Sequence, residues 1–110
     1  MIEDIIAKMQ NRIQNAESIS QERRAELLQL LAQLNSEVGK LSQTHSEDAE
    51  SIAGFAELST HEAVRKEQNP RLLKHSLDGL GSSVEGFEES HPELVQLVNS
   101  ISNTLSNLGI

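Results

Sequence analysis

The sequence predicts an all-α fold: one domain, built as a small bundle of four or five antiparallel helices with coiled-coil-like contacts. Three observations carry that expectation. Apolar residues recur in alternating steps of four and three, the stripe of a helix packed on another helix. Helix-start chemistry falls between the stripes, as Ser, Thr or Asn followed by Gln, Glu or Pro. Aromatic residues make up 2% of 110 residues, so the core is aliphatic and suits helices that meet along narrow seams.

Residues 1–41 read as a helical hairpin. Ile2, Ile6, Met9, Ile13 and Ala16 form a first stripe, with Glu3 and Asp4 in the turn where the helix dipole favours acids. Leu27, Leu31, Leu34, Val38 and Leu41 form a second stripe. Extending the first stripe strictly from Ala16 puts Ser20 and Arg23 on the seam, two polar positions in succession. A turn near residues 17–20, capped by Ser18 or Ser20, explains that lapse. One long helix with a polar weak spot is the alternative.

Residues 42–69 read as a weakly striped helix or connector. Thr44 with Glu47 has the pattern of a capping box. Ala49, Ile52, Phe55, Ala56 and Ala63 lie on the stripe, with Leu58 and Val64 off it. Small residues and Gly54 mark this segment as the least firmly held. Asn69-Pro70 then ends it and starts the next helix, since Asn caps and Pro is favoured at the first helical position.

Residues 70–110 hold the C-terminal helices. Leu73, Leu77, Leu80, Val84 and Phe87 run in one phase, and Leu94, Val98, Ile101, Leu105 and Leu108 continue it beyond Ser90-His91-Pro92-Glu93. That tetrapeptide reads as a capping box with Pro in the first turn, so a kink or short turn with a new helix from residue 91 or 92 is expected. From Leu94 onward no side chain is charged, as expected of a helix covered on several sides or of a polar subunit contact. Gly109-Ile110 reads as a helix stop, with Ile110 folding back on Leu105.

The net charge of −8 disfavours nucleic acid and anionic membrane as partners, because phosphate surfaces reward clustered Lys and Arg. Without cysteine there is no disulfide, thiolate metal site or cysteine nucleophile. The first residues lack the long apolar run of a signal peptide or membrane span, and a cytoplasmic protein is expected. His45, His61, His75 and His91 are not spaced as a metal-ligating pair on one helix face. Glu85, Glu88, Glu89 and Glu93 cluster around the Ser90-Pro92 junction and read as solvated acids flanking a helix start. No phosphate loop or nucleophile elbow is present, so no catalytic residue, cofactor or metal is assigned and an enzyme is not expected.

The segment NPRLLKHSLDGLGSSVEGFEESHPELVQLVNSISNTLSNLGI resembles the family catalogued as domain of unknown function 4404. Phe87-Glu88, Ser90-His91-Pro92 and Leu105 to Ile110 carry the resemblance best. It implies a small helical protein of the bacterial cytosol with no assigned activity.

A narrow-seamed helical protein gains from burying a second face, so a homodimer is expected. The expected role is that of a non-enzymatic interaction or scaffold protein, with Phe87, His91, Leu94, Val98, Ile101, Leu105 and Leu108 as its assembly surface. Two alternatives stand beside it: an acidic regulator docking on a basic protein, and a small-ligand or metal site at the His91 junction.

Overall fold

The computed structural model describes residues 2–108, and its elements follow local sequence chemistry closely. Five helices run in chain order: α1 (Ile2–Asn15), α2 (Gln21–Ser42), α3 (Ser46–Val64), α4 (Pro70–Ser83) and α5 (Pro92–Leu108). The stop expected at Gly109-Ile110 lies outside the described residues. Each short connection reverses direction, giving an up-down-up-down-up bundle of 37 × 24 × 22 Å.

The N-terminal segment is a hairpin. Ser20 caps α2 with its hydroxyl, which accepts from the Arg23 amide at 3.2 Å. Ile19 is buried under the turn. Asn69 caps α4 in the same way, accepting from the Leu72 amide at 3.2 Å, with Pro70 in the first turn. The other two cap patterns do not form. Thr44 and Ser90 instead place their hydroxyls at 2.7 and 2.9 Å from Nδ1 of the histidine that follows each.

The segment expected to be least firmly held is the centre of the bundle. α3 packs against all four other helices. Its buried face is Ala49, Ile52, Ala53, Ala56, Ser59, Thr60 and Ala63. Small side chains make a faint hydrophobic stripe, but they let neighbouring helices approach on several sides. Around this helix Ile6, Met9, Ile13, Leu27, Leu31, Leu34, Val38, Leu41 and Leu80 close the core.

α4 is shorter than its stripe. It ends at Ser83, and residues 84–91 form a turn in which Gly86 takes φ +95°, the left-handed conformation that only glycine adopts cheaply. The Glu88 carboxylate accepts from the Gly86 amide at 2.8 Å. The junction at Ser90-Pro92 is therefore a turn followed by a separate helix.

Candidate functional site

The two turns at one end of the bundle meet through aromatic rings. Phe87 stands edge-to-face with His45 and with His91, both at 5.5 Å between centroids, and the two imidazoles are 6.2 Å apart. The two junctions are built alike, Thr44-His45-Ser46-Glu47 and Ser90-His91-Pro92-Glu93. In each, a hydroxyl next in sequence engages Nδ1, and the histidine precedes a helix. The cluster is a packing contact that pins the α2–α3 turn against the α4–α5 turn. Among the described residues no three His, Asp or Glu side chains are placed to hold a metal ion.

The remaining residues of the expected assembly surface lie elsewhere. Leu94, Val98, Ile101 and Leu105 are buried inside the bundle, and Leu108 is partly buried against the same core. The stripe on α5 faces α2, α3 and α4 of its own chain, so it is covered before any partner arrives. α5 is also covered on one side alone: Gln96, Asn99, Ser100, Asn103 and Asn107 are exposed. Its uncharged polar face meets solvent and is not enclosed on several sides.

A different apolar surface is open. Phe55, Leu58 and Leu72 are 38%, 43% and 43% exposed and are the large hydrophobic residues left uncovered among the described residues. They line a shallow groove of about 230 Å³ between α3 and α4, together with Glu62, His75 and Ser76. The Phe55 ring packs on α4 at Gly79, where its Cδ1 is 2.6 Å from the point a Cβ would occupy. At one edge the buried Glu62 carboxylate accepts from Arg65 Nη1 at 2.8 Å. Leu58 is one of the two residues off the α3 stripe, and its irregularity is a signal for this surface, whereas Val64, the other, packs against the core. Phe55 sat on the stripe and gave no such signal.

One end of the bundle is acidic, while the other mixes basic residues with Glu17, Glu22, Glu26, Glu57, Glu62 and Glu67. The end with the histidines collects Glu3, Asp4, Glu47, Asp48, Glu50, Glu85, Glu88, Glu89 and Glu93, and Lys40 is the one lysine or arginine near them among the described residues. Of the nine basic residues, all except Lys8 and Lys40 lie toward the other end: Arg12, Arg23, Arg24, Arg65, Lys66, Arg71 and Lys74. Contacts there confirm the shared end. Arg12 Nε donates to Glu57 at 3.0 Å, and Gln68 Nε2 donates to the carbonyls of Ala63 at 3.0 Å and Leu108 at 3.3 Å.

The family model described as a domain of unknown function, DUF4404, matches residues 27–110. The chain belongs to the DUF4404 family. The matched region of this DUF4404 chain takes in most of α2 and all of α3, α4 and the described α5, and so includes both the Phe87 cluster and the Phe55–Leu72 groove. α1 precedes it and completes the core from one side of α2 and α3. No curated protein and no solved structure matches the chain. No helix in the described residues is long and apolar enough to cross a membrane.

Proposed function

We propose that this DUF4404 protein is a non-enzymatic helical interaction protein of the cytoplasm that works as a homodimer, without nucleic acid or membrane as partner. The observation that supports this most directly is the open Phe55–Leu58–Leu72 surface on a bundle whose other large apolar side chains are covered among the described residues. An uncovered apolar patch with a polar rim is characteristic of a protein–protein contact. Light scattering coupled to gel filtration tests the reading. A mass that rises toward twice 12.1 kDa as concentration increases is expected, and a clean monomer across the accessible range overturns it.

A second reading is favoured by the acidic end, where Glu47, Asp48, Glu85 and Glu89 lack an ion-pair partner among the described residues. A basic protein docking there would bind with strong dependence on salt. Pull-down yields that do not change with ionic strength count against it.

A further inference from the structure

We infer that the α3–α4 face is a two-fold interface, on which a second copy of this chain lies antiparallel with its Phe55, Leu58 and Leu72 against those of the first. The inference rests on the self-association proposed above and specifies where and in what orientation it occurs.

The argument for a second copy is charge complementarity about one axis. A two-fold interface sets each position against its mirror along the helix, so it is favourable when opposite charges are equidistant from the centre. Asp48 in the first turn of α3 and Arg65, the residue that follows α3 and also pairs with Glu62, are equally far in sequence from the midpoint of Phe55 and Leu58, about 13 Å on either side at the helical rise. The α4 side shows the same balance. Arg71 in the first turn of α4 and Glu85 in the turn just past its end are equally far in sequence from Asp78, which is level with Phe55 because the Phe55 ring covers Gly79 next to it. An antiparallel copy therefore places Arg71 opposite the second copy's Glu85, and Glu85 opposite its Arg71. Neither has an ion-pair partner within the chain among the described residues. Asp78, nearest the axis, is balanced within its own helix by Lys74 at 3.0 Å. A parallel arrangement would stack acidic end on acidic end.

The size of the face sets the strength. α3 has 19 residues, about 28 Å at the helical rise, and two adjacent helices are about 20 Å wide, which gives about 560 Å² per copy. That is below the roughly 800 Å² per partner of a standard interface, as for a reversible dimer that dissociates on dilution.

Sedimentation velocity over a micromolar concentration series tests the inference, with circular dichroism melting to confirm that each variant folds. Leu72→Asp is expected to weaken the dimer by about tenfold or more. Arg71→Glu and Glu85→Arg are each expected to weaken it by about three- to tenfold, and the double variant to restore it. A wild-type dimer indifferent to all four variants overturns the assigned face while leaving self-association standing. A wild-type monomer overturns both. Single charge variants that weaken the dimer without rescue in the double variant overturn the antiparallel orientation.

Discussion

The Arg24 guanidinium donates to the Ile13 carbonyl at 2.7 Å, tying the first turn of α2 to the last turn of α1. The same side chain reaches the carbonyls of Gln14 at 2.7 Å, Ala16 at 3.0 Å and Ile19 at 3.3 Å. Carbonyls at a helix C-terminus have no helical partner and carry the negative end of the dipole, so a forked cation satisfies both needs together. Arg24→Ala is expected to cost about 2 kcal/mol, since hydrogen bonds to charged groups are worth more than neutral ones but water replaces part of this half-exposed set. Arg24→Lys should lose about half as much, because one ammonium cannot span four carbonyls. Urea midpoints measure both, and a lysine variant as stable as wild type would show that charge alone suffices.

The glycines separate into three kinds. Gly39 and Gly54 are interior to α2 and α3 with open space where a Cβ would stand, so Ala at either should stabilise by about 0.5–1 kcal/mol. At Gly79 a Cβ would meet the Phe55 ring, and the gain in helix propensity is outweighed by crowding, for a net loss of about 1 kcal/mol. At Gly86 there is space, but φ +95° makes Ala strained by about 1 kcal/mol. Melting temperatures should rise for the first two variants and fall for the last two. A rise for Gly79→Ala would mean that Phe55 moves aside freely.

Ser59 is fully buried, and its hydroxyl lacks a hydrogen-bond partner among the described residues. Its neighbour Thr60 donates to the Ala56 carbonyl at 2.9 Å and is satisfied. Burying a hydroxyl without a partner is costly, so Ser59→Ala should stabilise by about 1 kcal/mol, while Thr60→Ala should destabilise by about as much. Thermal melts of the two variants moving in the same direction would contradict this assignment of the α3 hydroxyls.

What the sequence made legible was local. Ser20 and Asn69 announce helix starts because a short oxygen-bearing side chain meets the nearest free amide, a contact decided within four residues. The hairpin followed from polar Ser20 and Arg23 on the seam. What stayed hidden was relational. The Thr44 and Ser90 patterns looked like caps, and only the fold shows their hydroxyls beside His45 and His91, rings from two distant turns that meet at Phe87. The alanines of α3 read as weakness until its four neighbours are seen. A stripe marks which side chains leave water; it does not say whether the chain itself or a partner covers them.

That distinction yields a decisive comparison between α5 and the α3–α4 face. Ile101 and Val98 are fully buried within the chain, so a change there acts on folding before it can act on assembly. Ile101→Ala should cost about 2–5 kcal/mol, and Val98→Asp more, because it also buries a charge with no partner. Leu72 is 43% exposed, and Leu72→Asp should leave the monomer within about 1 kcal/mol of wild type. Denaturation of dilute protein, below the dimer's dissociation range, isolates the monomer term. If Leu72→Asp proved as destabilising there as Ile101→Ala, Leu72 would belong to the core, and the α3–α4 face would have no apolar centre to offer a second copy.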